Sequence, residues 1–362
     1  MQIKQRLEYP IWKTPYFCVV GFFIFFKLVR AGTLTLLIDK PFINKKLNLT
    51  LKFLNLLIYS GNKDEIGKKL LRCLINLGPG YIKFGQALST RPDLVDKKTC
   101  EYLKKLQDDM EPFSSSIAKN IIEKENHDSI DNIFSSFNEK PIANASVAQV
   151  HTAILKSGET VAIKILKPNI KEKLFKDFIF FYWVSKCLEI AIPSIKRLKL
   201  SKNVEVLSEV SLNELDLTLE ASAAEELSEN FKDNPNYKVP KIYWEFTSKN
   251  ILILEYIQGI RIDDINALKK ANHNIKKITE IGTEVFFLQV FRDGFFHGDM
   301  HPGNILINPK GILIPIDFGI MGRLSNKDRQ FLALLLTYLL NKNYRKVVEI
   351  HSEANMLGKD IS

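Results

Sequence analysis

The sequence predicts an α+β fold of two lobes with an added N-terminal helical extension, and three observations predict it. Two apolar strand-like runs, "ETVAIKIL" (159–166) and "NILILEYI" (250–257), are separated by a long helical span. A third, "GILIPIDFG" (311–319), reads as a strand entering a tight turn. Ahead of them, "IGKKLLRCLINLGPGYIKFGQALST" (66–90) reads as two helices broken at Gly78-Pro79-Gly80.

These signals divide the chain into four blocks. Residues 1–60 form a hydrophobic, amphipathic N-terminal segment and residues 61–135 a helical extension. Residues 136–257 form a first lobe containing an alanine-rich loop, and residues 258–362 a second lobe. The sequence shows no internal repeat and no low-complexity linker.

Composition bounds the function. With 362 residues, 46% of them hydrophobic and 10% aromatic, the chain can bury a large core. A formal charge of +10 suits an anionic partner such as a membrane surface or a nucleotide. No RNA-binding signature, zinc spacing or recognition-helix pattern is present, so nucleic acid is not an expected partner. Cys18, Cys73, Cys100 and Cys187 are scattered without CxxC pairing and read as reduced thiols of an intracellular protein.

At the N-terminus, Lys4, Arg6 and Lys13 precede the apolar run "TPYFCVVGFFIFF" (14–26), which Lys27 closes. Thirteen residues are too few to cross a hydrocarbon core of ~30 Å as a helix. No A-x-A-like cleavage site follows, so a signal peptide is not the reading either. The run suits a helix lying in the membrane interface or packed on the protein itself, and "KKLNLTLKFLNLLIY" (45–59) could extend that surface.

Three pieces carry chemistry. Lys164 stands alone in an apolar strand within "VAIK", where a protein kinase holds the α- and β-phosphates of ATP. In "FFHGDMHPGNIL" Asn304 follows Asp299 by five positions, the D-x-x-x-x-N spacing of a kinase catalytic loop. There the Asp orients a hydroxyl and the Asn holds a metal. Asp317 of "IDFG" follows Asn304 by thirteen positions and would chelate Mg²⁺ between phosphates. Any one piece could be accidental, but their order and spacing together indicate a protein-kinase-like ATP site. His297 and His301 flank Asp299 and read as loop-supporting histidines rather than proton-transfer groups.

A kinase lysine needs a glutamate on a helix, and "SEVSLNELDLTLEASAAEEL" (208–227) is strongly helical in composition. Glu220 is the best candidate, with Glu214 and Asp216 one to two turns earlier. Glu225, Glu226 and Glu229 read as a solvated acidic face. Glu220 lies 56 positions after Lys164, more than a kinase needs, so something is inserted between strand and helix. Gln258-Gly259 should fall near a hinge, with Glu255 and Ile257 offering backbone groups to adenine.

The phosphate loop departs from the kinase pattern. A kinase writes it G-x-G-x-x-G-x-V, but here the glycine positions hold Ala143, Ala145 and Ala148, ahead of Val150. The nucleotide-contacting stretch would be Ile142, Ala143, Asn144, Ala145, Ser146, Val147, Ala148, Gln149 and Val150. Alanine resists positive φ by roughly 1 kcal/mol. The loop is therefore expected to be stiffer than a glycine lid and to fold differently, as the start of a helix.

Four signatures together resemble the UbiB family of atypical, protein-kinase-like proteins of ubiquinone biosynthesis. They are "KFGQ" (83–86), the alanine-rich loop, "NELDLTLEA" (213–221) and "HGDMHPGN" (297–304) before "DFG" (317–319). The resemblance runs from about Ile66 to the C-terminus. KxGQ has no counterpart in ordinary kinases and argues against a small-molecule kinase of the aminoglycoside or choline type.

The resemblance implies roles that spacing does not give. A KxGQ helix would cover the cleft where a kinase admits a peptide, with Lys83 and Gln86 pointing into the active site and Lys83 facing Glu214 and Asp216. Lys164 would pair with Glu220, Asp299 would be the catalytic aspartate, and Asn304 and Asp317 the Mg²⁺ ligands. The implied function is Mg–ATP-dependent support of coenzyme Q synthesis at a membrane. The implied location is the cytoplasmic face of a bacterial inner membrane, or the matrix face in an organelle. Implied partners are ubiquinone-biosynthesis enzymes or prenylated lipid intermediates, and homodimerisation stays open. The alternative is a non-catalytic nucleotide-binding scaffold or lipid-binding chaperone of the same pathway. Two departures stand out: Asn144 replaces an alanine usual in the loop, and the chain ends at Ser362, some forty residues after DFG, so a shortened second lobe is expected.

Overall fold

Glycine and proline set the path of the N-terminal helices. The computed structural model describes residues 7, 14–38, 45–58, 65–106 and 111–354; Lys4, Arg6, Lys13 and Ser362 lie outside the described residues. The chain divides into two compact units, Met1–Leu217 with Trp244–Ile253, and Thr218–Tyr243 with Leu254–Ser362.

In the first unit the apolar N-terminal run forms helix α1 (Thr14–Arg30), followed by α2 (Thr33–Leu37) and α3 (Lys45–Ile58). Helices α4 (Ile66–Leu77) and α5 (Pro79–Ser89) part at Gly78, whose φ of 124° is open to glycine and closed to most other residues. Pro79 then starts α5 with its φ already helical. In α6 (Lys97–Lys104) Asp96 caps the first turn by accepting the Thr99 N–H at 2.9 Å. The apolar faces of these helices converge on Leu70, Leu74, Tyr81, Ile82, Leu103 and Leu106.

Helices α7 (Ser115–Asn126) and α8 (Ile130–Ile133) lead into a five-stranded sheet whose first, second and fourth strands pair antiparallel with the third. Its strands are β1 (Phe134–Phe137), β2 (Ala143–Asn144), β3 (Ala148–Leu155), β4 (Thr160–Leu166) and β5 (Ile251–Glu255), in the order β1-β3-β4-β5 with β2 also on β3. The insertion expected after Lys164 is a pair of helices, α9 (Ile170–Ala191) and α10 (Leu200–Asn213), which run before α11 (Leu217–Asn230). Aromatic residues of α9 carry α1: Phe17 packs its ring against Phe180 and Trp183, with centroids 6.1 and 5.6 Å away.

The second unit takes most of α11, then α12 (Ile265–Lys270), α13 (Ile275–Phe287), α14 (Asn326–Leu340) and α15 (Tyr344–Glu353). Strands β6 (Ile260–Arg261), β8 (Ile305–Ile307) and β9 (Leu313–Pro315) make one small sheet; β7 (Phe295–His297) and β10 (Met321–Arg323) make another. Leu227, Phe231, Tyr237, Leu268, Val285, Ile307, Leu313 and Phe318 form its core. The α+β class expected from the sequence is observed. Among the described residues no helix is long and apolar enough to cross a membrane.

Candidate active site

The DFG turn and the catalytic loop share one scaffold in the second unit. β8 and β9 pair in antiparallel register with Ile305 opposite Pro315, and the Ile316 N–H donates to the Asn304 carbonyl at 2.9 Å. That bond sets Asn304 beside Asp317. His297, buried at the end of β7, joins Asp299 to the same turn: its Nδ1 accepts the Asp299 N–H at 3.1 Å, so Nε2 carries the proton and donates to the Asp317 carbonyl at 2.6 Å. His301 accepts the Gly303 N–H within the loop. Both histidines therefore hold backbone. Asp299, Asn304 and Asp317 are themselves half-buried. Asp317 Oδ1 also accepts the Gly319 N–H at 2.9 Å. A carboxylate and an amide on adjoining segments are donor types that fit Mg²⁺, which prefers hard oxygen ligands and keeps several waters.

Glu220 lies in the first turn of α11 and is buried, 5% exposed. It accepts the Phe318 N–H at 3.4 Å, so the helix glutamate and the DFG backbone are in register. Of the acidic face that follows, Glu225 and Glu229 are exposed as expected, whereas Glu226 is half-buried. Glu226 pairs with Arg323 through a two-bond fork, one arm 2.8 Å long, and Glu229 pairs with Lys232 at 2.5 Å. Sequence spacing could not show this, because Arg323 comes from a strand 97 positions away.

Two supports carried no sequence motif. A widened π-type turn, Leu288–Asp293, follows α13 and aims the fully buried Gln289 at β7. Its Oε1 accepts the His297 N–H at 2.9 Å and its Nε2 donates to the Tyr237 hydroxyl at 3.4 Å. A lone glutamine in "VFFLQVF" was the legible signal for the first; Tyr237 gave none.

In the first unit Lys164 sits on β4 directly opposite Val150 of β3, half-buried between the fully buried Ile163 and Ile165. The alanine-rich loop is a tight hairpin rather than the start of a helix. Ala143 and Asn144 pair with Val150 and Gln149, and the Ala145 N–H donates to the Ala148 carbonyl at 2.8 Å. A further bond from the Lys167 N–H to the Val147 carbonyl pins the turn to the end of β4. None of the loop residues has positive φ. The physical reason is that cross-strand bonding satisfies the backbone without the left-handed conformations that glycine permits, so alanine costs nothing here.

Side chains of the loop are mostly committed. Ser146, Val147, Ala148 and Gln149 are buried, whereas Ile142 is half exposed. Gln149 accepts the Phe113 N–H at 3.0 Å and donates to His151 Nε2 at 2.8 Å, so it anchors the hairpin. Burial holds His151 below the usual histidine range. Asn144 differs: its Oδ1 is buried and has no hydrogen-bond partner among the described residues. At the end of β5, the Glu255 N–H donates to the Lys241 carbonyl at 2.8 Å and its carboxylate pairs with Lys238. A backbone donor to adenine would therefore come from half-buried Ile257.

The KxGQ helix is α5. Lys83 forms an ion pair with Glu214, both side chains nearly buried. Gln86 does not extend outward; its amide donates to the Leu106 carbonyl at 2.9 Å, closing the end of α6. Asp216 lies 4.0 Å from the exposed Lys249. Gly80 is required by close approach, because a Cβ there would stand 2.4 Å from Asp177 Cβ of α9. The Gly80 N–H instead donates to Asp177 at 2.9 Å, and burial pushes that carboxyl up to about 6.

A profile described as the ABC1 atypical kinase-like domain matches residues 105–351. Proteins named "Probable protein kinase UbiB" are similar over most of the chain. That of Aliivibrio fischeri ES114 is 40% identical over 303 residues, 82% of this chain and 56% of the relative. That of Marinobacter nauticus is 42% identical over 294 residues, 80% and 53%. That of Cellvibrio japonicus is 38% identical over 322 residues, 88% and 58%. The chain thus spans a little over half the length of these relatives. Among solved structures, Rv3197 of Mycobacterium tuberculosis, determined in complex with erythromycin, superposes with a TM-score of 0.54 at 25% identity, covering 83% of this chain and 78% of that one. The fold is kinase-like.

Proposed function

The chain belongs to the ABC1 atypical kinase-like family, and from that premise we propose that it is an atypical kinase or ATPase that binds Mg²⁺–ATP and supports ubiquinone biosynthesis at a membrane. One observation carries the nucleotide reading: the His297 bridge and the Asn304–Ile316 bond hold the loop of Asp299 and Asn304 against the turn of Asp317. Asn304 and Asp317 would hold Mg²⁺, which neutralises phosphate charge when bound. Lys164 would hold the α- and β-phosphates and pair with Glu220. Asp299 would orient the attacking hydroxyl or water. The orphaned Asn144 Oδ1 suits a donor from the ligand or its waters, since a buried acceptor left unpaired costs about 1–3 kcal/mol.

The rest of the reading draws on the relatives. Their UbiB name supports a place in ubiquinone biosynthesis, with biosynthetic enzymes or prenylated lipid intermediates as partners. The exposed aromatic face of α1, with Tyr16, Phe22, Phe23, Phe25 and Phe26 open to solvent, supports peripheral contact with a membrane. Cation placement agrees, since Lys27 and Arg30 close that helix.

Thermal shift with ATP or ADP, with and without Mg²⁺, tests the site. Asp317→Asn should abolish the magnesium-dependent stabilisation; retention of the full shift overturns the metal assignment. ATP turnover by wild type and by Asp317→Asn in the presence of liposomes separates a catalyst from a nucleotide-binding scaffold.

A further inference from the structure

We infer that the α9–α10 hairpin, inserted between the β4 lysine and the α11 glutamate, is a second membrane-contact element that docks on an anionic lipid surface. The inference rests on the membrane reading above and adds to it a place and a lipid charge.

Four observations carry it. First, the last turn of α9 turns apolar side chains outward: Ile190 is 81% exposed and Leu188 37%. Among the described residues nothing covers Ile190, and an aliphatic side chain so open to water favours an apolar medium. Second, the connection to α10 is basic, reading "KRLKLSK" (196–202), and Lys196, Lys199 and Lys202 are exposed. Lysines beside an apolar tip can lay their stems along it and reach phosphates with their ammonium groups.

Third, the one acid in that stretch is already occupied. Glu189 accepts the Ser201 N–H at 2.9 Å and the Ser201 hydroxyl at 3.0 and 3.1 Å, capping α10 rather than opposing the lysines. Lys202 pairs with Glu205 at 3.0 Å, which leaves the tip with a net positive charge carried by Lys196, Arg197 and Lys199. Fourth, the hairpin is continuous with the aromatic surface of α1. Phe17 and Gly21 lie against Phe180 and Trp183, and the Cys187 thiol, raised mainly by burial, is also raised by Cys18. The N-terminal half of α1, where Tyr16 and Val19 are exposed, thus lies toward the end of α9 that bears Leu188 and Ile190. An acidic protein would satisfy the lysines and leave Ile190 in water; an anionic bilayer satisfies both.

Vesicle flotation tests this, using phosphatidylcholine with and without phosphatidylglycerol. Ile190→Glu should weaken partitioning onto the anionic vesicles about tenfold. The combined change Lys196→Gln, Lys199→Gln, Lys202→Gln should weaken it by at least about tenfold, with little effect on neutral vesicles. The matched control Lys269→Gln, Lys270→Gln, Lys277→Gln, exposed lysines of the second unit, should float as wild type does. All sites are on the surface, and unchanged melting midpoints verify folding. If wild type and hairpin variants float alike, or if the control falls as far as they do, the hairpin is not the contact, while the membrane reading stands. If wild type floats on neither vesicle, the membrane reading itself falls and the hairpin inference with it.

Discussion

His297 donates from Nε2 to the Asp317 backbone carbonyl at 2.6 Å. Its other nitrogen is spent on the Asp299 amide, so one neutral imidazole ties the catalytic loop to the DFG turn. Replacing it with alanine removes both bonds from a half-buried amide and a half-buried carbonyl. His297→Ala should lose about 2 kcal/mol or more in urea unfolding. It should also lose nucleotide-dependent thermal stabilisation although it touches no phosphate. Wild-type stabilisation by Mg²⁺–ATP in this variant would mean that the turn holds its shape without the imidazole.

Lys83 and Glu214 are joined across 131 positions of sequence and are nearly shielded from water. Removing one partner strands the other charge. Lys83→Met should destabilise the fold by about 3 kcal/mol, and adding Glu214→Leu should recover a large part of that. Equal stability of the single and double variants would make the pair energetically idle.

Asp177 is pushed up to about 6 by burial, against the lowering effect of the Gly80 N–H, from an ordinary 3.8. The folded state therefore binds this proton more tightly than the unfolded chain. The stabilisation linked to protonation is complete below 3.8 and is lost as pH rises through about 6. Asp177→Asn, which keeps an acceptor for Gly80, should melt higher than wild type at neutral pH. The gap should close as pH falls through that window. A gap independent of pH would place the stabilisation elsewhere.

Ala145 closes the hairpin through its N–H and adopts no positive φ. Ala145→Gly should cost roughly 0.5–1 kcal/mol by giving the unfolded chain more conformational freedom to lose on folding. If the alanines restrain phosphoryl transfer, the glycine variant should also change its preference between ATP and ADP and incorporate more phosphate. Unchanged affinities and incorporation would leave the alanines a packing feature.

The sequence by itself determined the class of the fold and the family, and it nominated the candidate chemical residues. VAIK, D-x-x-x-x-N, DFG and KxGQ are short-range patterns, and each is fixed by the strand or turn that its own neighbours form. The break at Gly78-Pro79 and the insertion after Lys164 were legible for the same reason, since glycine, proline and chain length act locally. What only the tertiary structure decided are the long-range partners. The alanine loop read as a helix start because alanine favours helices, yet bonds from β3 and Lys167 made it a hairpin, and tertiary pairing outweighed a propensity of a few tenths of a kcal/mol per residue. Glu226 has its partner only because β10 brings Arg323 to it, and the carbonyl that Gln86 meets comes from the end of α6. Gln289 and Asp177 gave no motif at all, because a buried polar group is defined by what surrounds it, and those surroundings come from other parts of the chain.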